Sequence, residues 1–369
     1  MSNGCQYLIR ALESWAPLSL AEDWDNCGLQ VGDRAQEVHK VLVALTPTLR
    51  VVEEAIAVGA DMIVTHHPLL FKPLKQITTD KEQGKIVHLL IKNGISLYSA
   101  HTNLDITSGG VNDVLAQKLE VQGTRPLADC TNEILYKLVV YVPSGYENQV
   151  RTAICAAGAG WIGAYSDCTF QAKGQGTFLP REGTNPFSGK IGELEFAEEY
   201  RLETVVPQSK LSAVLAAMEK AHPYEEVAYD IFRLENKGVC SGLGRIGELA
   251  EEMTSEEFLK FVSQKLGQPF LTYAGQAEKI KKVALCGGSA AGYMLAAKAA
   301  GADAYVTGDV KYHDAQLAEE LGILVIDAGH FATERAIVEK LAEFLRTQNV
   351  EVVVDTTERD FLQHFHSAE

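Results

Sequence analysis

The feature that most restricts the fold is a segment that occurs twice. "KVLVALTPTLRVVEEAIAVGADMIVTHHP", from Lys40, aligns without gaps on "KVALCGGSAAGYMLAAKAAGADAYVTGDV", from Lys282. Val41 to Gly59 and Val283 to Gly301 are the same 18-position step, and both copies then read Gly-Ala-Asp, two residues, Val-Thr. Repetition on this scale marks a structural unit built more than once. Each copy parses as an apolar strand, a helix with small residues on its face and a second apolar strand. That is a βαβ unit, so the fold class is α/β. The match continues into "NGISLYSAHTNLD" after the first copy and "LGILVIDAGHFATE" after the second, each a Gly-led strand ending in a histidine. His101 stands four residues before Asp105, and His330 four before Glu334. Two pseudo-symmetric α/β half-domains are expected, each ending a strand in His-x-x-x-carboxylate.

The stretch between the copies does not repeat them. From about 127 to 236 it reads as a strand "YKLVVYVP", a helix "ENQVRTAICAAG", strands around "DCTFQAKGQGTFL" and "EYRLETVVP", a helix "SKLSAVLAAMEKAH" and a strand "EEVAYDIFRL". This β-α-β-β-α-β order is that of a ferredoxin-like α+β module, with the Gly/Pro-rich "LPREGTNPFSGKIGE" as a surface loop. The expected division is half-domain one over 1–126, the insert over 127–236 and half-domain two over 237–369. His222 of "KAHPYEE" reads as a turn residue before a proline rather than a ligand.

Composition excludes several classes. With 369 residues, 46% hydrophobic and 22% charged, the chain is ordinary globular material with room for more than one core. Its 33 Lys+Arg against 49 Asp+Glu give a formal charge of −16, which repels nucleic-acid backbones and anionic membrane surfaces. The N-terminus has no basic region followed by an apolar core, and no apolar run approaches the ~20 residues that span a bilayer. A cytoplasmic protein with no membrane partner is expected, and nucleic acid is disfavoured. The seven cysteines (Cys5, Cys27, Cys130, Cys155, Cys168, Cys240, Cys286) are scattered and form no C-x-x-C, which points to free thiols.

The chemistry gathers at predicted strand ends. In "VTHHPLLF", residues 64–71, neighbouring side chains point to opposite faces of the strand, so His66 and His67 cannot easily grip one ion together. His66, His67, His101 and His330 all fall at the edge where open α/β sheets bind ligands. Packed about a pseudo-twofold axis, the halves would bring these four, Asp105 and Glu334 to one cleft. Adjacent histidines then suit adjacent ions, with the carboxylates completing or bridging the pair. Nitrogen and carboxylate donors without thiolate fit Zn, Mn, Fe, Co or Ni. Two ions ~3.5–4 Å apart lower the pKa of a bridging water towards ~7, which makes a hydrolytic site. Two loops are open to either of two readings. "CGGSAAGYM", Cys286 to Met294, is a backbone cradle for a phosphate or a tight turn without a Walker lysine. In "WDNCGLQVGD", Asp25 and Asn26 line the cleft or bond their own turn.

"WDNCGLQVGD", "VTHHPLLF", "YSAHTNLD", "GDVKYHDAQ" and "IDAGHFATE" together resemble the Nif-three-like dinuclear metal proteins, known in many genomes as GTP cyclohydrolase 1 type 2 homologues. The resemblance covers nearly the whole chain, since some bacterial members carry a PII/CutA-like insert at the position of 127–236. It implies metal ligands at His66, His67, Asp105, His330 and Glu334, two divalent transition-metal ions per chain with zinc the first choice, and a homohexameric ring with inward-facing sites. It leaves out His101, which the repeat pairs with His330. Gly322 to His330 is eight residues and Gly94 to His101 seven, and a one-residue change can turn a side chain aside. His101 is therefore expected beside the ions, bonded to a ligand or to the bridging water. Cyclohydrolase chemistry would send a metal-held hydroxide to C8 of guanine, with His101 and His313 of "KYHDAQ" as proton carriers. For His313, local capping or packing at a helix start is the equal alternative.

Three functions follow. The first is a metal-dependent hydrolase acting on a nucleotide or related small molecule. The second is a metal-handling or regulatory ring without turnover. The third, a nucleic-acid-binding ring, is set back by the charge.

Overall fold

The structure, a computed structural model, describes residues 4–363 apart from the side chains of Asp129 and Cys130. It is a mixed α/β fold whose chain divides into two compact units, Met1–Cys130 with Ser241–Glu369, and Thr131–Cys240. The chain passes from one unit to the other within the strands Gln122–Pro143 and Tyr229–Met253.

The first unit holds a five-stranded sheet in the order Gly28–Val31, Ser96–Ser99, Met62–Thr65, Lys40–Ala44, Glu351–Val354. Only the Gly28–Val31 edge is antiparallel. Strands Met62–Thr65 and Ser96–Ser99 are buried at every position, as a parallel strand covered on both faces must be. Their side chains alternate between two cores. Val41, Val43, Met62, Val64 and Tyr98 face helices Cys5–Trp15 and Ile337–Arg346, while Leu42, Ile63 and Leu97 face helices Leu49–Val58 and Glu82–Asn93. Each fully buried aliphatic side chain stabilises the fold by about 1.5–3 kcal/mol.

A second set of parallel strands, Ile280–Ser289, Ala304–Gly308 and Leu324–Asp327, is flanked by antiparallel partners at Thr272–Ala274 and at residues 245–253. Val283, Leu285, Val306 and Ile326 face helix Ser255–Leu266; Ala284, Tyr305 and Val325 face helices Met294–Ala299 and Tyr312–Leu321.

The repeated Gly-Ala-Asp has one physical explanation in both places. Gly59 and Gly301 take the left-handed backbone after their helices, φ +67 and +79, which a Cβ would strain. Two residues later Asp61 accepts from the backbone N–H of His39 and Lys40, and Asp303 from those of Lys281 and Lys282. Lys40 and Lys282 in turn donate to the helix-end carbonyls of Val58 and Ala300. The motif clamps the helix exit to the start of the preceding strand.

The Thr131–Cys240 unit runs strand, helix Glu147–Ala156, strand Thr169–Phe178, strand Glu195–Pro207, helix Leu211–Ala221, strand. Its central strand Glu195–Pro207 pairs antiparallel on both sides. Leu138, Val140, Leu202 and Val206 pack on Val150, Ile154, Val214 and Met218 of the helices. His222 is a structural turn residue: Nε2 donates to the Tyr141 carbonyl and Nδ1 accepts from Tyr224 N–H.

The cysteines depart from the expectation of free thiols throughout. Cys5, Cys27, Cys155, Cys168 and Cys286 are free, but Cys240 is disulfide-bonded, and Cys130 lies outside the described side chains. Spacing along the chain does not report such a pairing, because it depends on which strands become neighbours. Among the described residues no helix is long and apolar enough to cross a membrane.

Candidate metal centre

Four histidines meet where the parallel strands of the first unit end. His66 and His67 follow strand Met62–Thr65, His101 precedes helix Thr102–Ile106, and His330 opens helix His330–Glu334. Each has one ring nitrogen tied back. His66 Nδ1 is 2.8 Å from the Ala100 carbonyl, His67 Nδ1 2.9 Å from Thr46 Oγ1, His101 Nδ1 2.9 Å from Asp25 Oδ1, and His330 Nδ1 2.8 Å from Asp309 Oδ2. Nε2 is thereby the nitrogen turned away from these supports in all four, and a ring held from behind through its other nitrogen is what metal-ligating histidines require.

The free nitrogens of three of them meet at two carboxylates. Glu334 turns Oε1 to His66 Nε2 at 3.8 Å and Oε2 to His67 Nε2 at 2.9 Å and His330 Nε2 at 3.1 Å. Asp105 Oδ1 stands 3.7 Å from His66 Nε2. Ligand atoms lying within 4.8 Å of one another form three sets: His66, Asp105 and Glu334; His67, His330 and Glu334; and His66, His67 and His101. The donor set fits a metal on one further observation. His66 Nε2 and Asp105 Oδ1 are buried with no hydrogen-bond partner, too far apart to serve each other. Orphaned buried polar atoms are costly, and a cation ~2.0–2.2 Å from each would satisfy both.

Electrostatics agree. Burial alone would depress His66, yet the carboxylates of Asp105 and Glu334 raise it to about 9. The hydrogen bond that His330 donates to Glu334 raises His330 to about 10 against its burial. Burial pushes Glu334 up, but its bonds to His330 and His67 and the nearby His66 ring hold it well below the usual carboxylate range. Burial raises Asp105 to about 6. His67, crowded by burial, is lowered. Left to itself the cluster draws protons, as a pocket of negative charge built around positive charge does. Burial also pushes the Cys286 thiol far up, in keeping with donors that are nitrogen and oxygen.

The surrounding loops make room. A Cβ on Gly288, φ +66, would lie 2.2 Å from Glu334 Oε1. Gly287 N–H donates to Asn112 and Gly288 N–H to Thr333. Two of the backbone N–H groups of "CGGSAAGYM" are thus used within the fold. Of the two readings of Asp25, the hydrogen bonds support the turn, and Asp25 also holds neighbouring groups from behind the cavity wall. It bonds its own turn through Asn26 N–H, and it takes the His101 ring, the Thr102 N–H and the Thr102 hydroxyl. Asn26 donates to the Leu70 carbonyl.

Before the cluster opens a cavity of about 570 Å³, walled by Trp24, Phe71, His101 and Tyr293. Trp24 and Phe71 are exposed and meet edge to face at 5.8 Å. The structure thus brings together His66, His67, His101, Asp105, His330 and Glu334. His313 is not among them: it is exposed at the start of helix Tyr312–Leu321, against the Tyr312 ring. Asp309 and Thr46, which set two of the rings, went unread in the sequence. Asp309 aligns with His67 in the repeat, and a polar residue at that position was the available signal.

The chain matches the family model Duf34/NIF3 (NGG1p interacting factor 3) over residues 4–360. It is 46% identical over 366 residues to the GTP cyclohydrolase 1 type 2 homolog of Halalkalibacterium halodurans, covering 98% of each chain. It is 44% identical over 359 residues to the protein of the same name from Bacillus subtilis, covering 96% of each. A crystal structure of a Bacillus cereus protein related to NIF3 superposes with a TM-score of 0.89 at 44% identity, over 99% of this chain and 100% of that one. The chain belongs to the DUF34/NIF3 family.

Proposed function

We propose that the chain is a metal-dependent hydrolase with a dinuclear centre, acting on a nucleotide or related small molecule. The observation that carries this reading is the pair of ligand sets sharing Glu334 at the floor of an open cavity. His66 and Asp105 would hold one ion and His67 and His330 the other, with Glu334 between. Two divalent ions held there, zinc first and Mn, Fe, Co or Ni as alternatives, would supply an activated water and polarise the group to be attacked. Asp25, held ionised by its bonds to His101 and Thr102, keeps a proton on His101 Nδ1. His101 Nε2 is then free to accept a proton at the cavity wall. Trp24 and Phe71 offer flat apolar faces to a substrate ring. The relatives' name favours a guanine nucleotide.

The same reading takes the two parallel-strand segments as pseudo-symmetric halves, on the strength of their shared Gly-Ala-Asp clamps. It takes Thr131–Cys240 as a PII/CutA-like insert, from its element order, and the assembly as a homohexameric ring. The test is elemental analysis followed by a screen of the metal-loaded protein against nucleotides and phosphoesters, with His67→Ala as the control. Close to two ions per chain and turnover lost in His67→Ala are expected. A stoichiometry that stays at or below one after soaking removes the dinuclear centre, and a fully loaded protein inert to every substrate leaves metal handling as the function.

A further inference from the structure

The Thr131–Cys240 unit has a cavity of its own, about 490 Å³, within the range of small-molecule sites. Its walls are aromatic. The Tyr224 ring lies 5.7 Å from that of Phe187 and 6.1 Å from that of Phe178. Among these rings sits one carboxylate, Glu199, only 8% exposed. Its Oε1 accepts from the Tyr224 hydroxyl at 3.0 Å, and among the described residues no lysine, arginine or histidine forms an ion pair with it. His222, in contact with Tyr224, cannot supply the charge, since both its nitrogens are committed to backbone groups. The place of the carboxylate is built, because a Cβ on Gly176 would lie 2.1 Å from Glu199 Oε2.

A buried carboxylate without a countercharge is expensive to keep. Ring faces around it attract cations and repel anions. The other carboxylates of the lining, Glu225 and Glu226, add the same sign, against a single exposed Arg181. Glu225 also accepts from Asn185 N–H, which ties the loop between strands Thr169–Phe178 and Glu195–Pro207 beside the cavity. We infer that this cavity binds a small organic cation, an ammonium group carried on an apolar body, with Glu199 as its counter-ion and Phe178, Phe187 and Tyr224 as its walls. The site is independent of the metal centre and of the hydrolase reading.

The probe is choline, compared with the neutral alcohol in which carbon replaces the quaternary nitrogen, titrated into the full-length metal-loaded protein by calorimetry. Choline should bind about tenfold or more tighter than its isostere. Glu199→Gln should remove that preference and Phe187→Ala should weaken choline, both with metal content unchanged. Should Glu199→Gln fail to fold, Phe187→Ala decides alone, since Phe187 is half exposed and its truncation leaves the core intact. Equal affinity for the two probes, no binding of choline, or tighter binding of ATP through Arg181 would each overturn the assignment.

Discussion

The segments Ala100–Asp105 and Ala328–Glu334 leave strands that end in the same backbone bond, and a single residue separates their chemistry. Ala100 N–H bonds the Thr65 carbonyl and Ala328 N–H the Thr307 carbonyl, so the two strands exit in register. Counting onward, His101 falls opposite Gly329, and Thr102 opposite His330. His101 therefore caps its helix from outside, whereas His330 lies inside its helix, one turn from Glu334 on the same face. A histidine and a carboxylate four apart come to share a metal set only when both are on the helix. Asp105 and Glu334, both on their helices, belong to ligand sets with His66.

The largest test of this contrast removes the carboxylate common to both sets. Glu334→Ala should lose both ions, read by elemental analysis, and Gly288→Ala should approach that result, because its Cβ collides with Glu334. Retention of two ions in Glu334→Ala would break the shared-carboxylate reading. Next, His330→Ala should lose one ion, whereas His101→Ala should keep both and lose activity by ~10–100-fold, the usual effect of removing a group that supports the ligands. Equal loss of metal in the two variants would make the loops equivalent after all, with His101 a further ligand.

Much of this was legible in the chain. The βαβ segments and the strand-end histidines follow from local periodicity and from Gly-Ala-Asp, whose clamps are made within each segment. What escaped depends on distant partners. Strand Glu351–Val354 adds to the first sheet beside Lys40–Ala44, and nothing in its four residues names that neighbour. Strands Gln122–Pro143 and Tyr229–Met253 run far beyond the apolar stretches that announce them, because ladder pairing rather than side-chain pattern sets their length. Asp309 is recognisable as the support of His330 only once the two strand ends are adjacent.

The smallest effect expected concerns pH in metal-free protein. His330 is raised from its ordinary value to about 10, so its contribution to stability is fully present below about 6.5 and fades as pH rises through 10. His66, raised to about 9, acts in the same direction. Melting of the stripped protein should thus fall from pH 6.5 towards 10, and His330→Ala should flatten the profile. His101→Ala should leave the slope in place; a loss of slope in that variant would again equate the two loops.

Residues 351–358 reach back to the site. Glu358 accepts from the backbone N–H groups of Leu45 and Thr46, and the Thr46 hydroxyl steadies the His67 ring. Together with strand Glu351–Val354 docked on Lys40–Ala44, this makes residues 351–358 a latch on the βαβ segment that begins at Lys40. During synthesis, His66 and His67 leave the ribosome long before the residues that secure their support. The nascent chain is therefore without its finished binding geometry until Glu358 and strand Glu351–Val354 have been made and have docked.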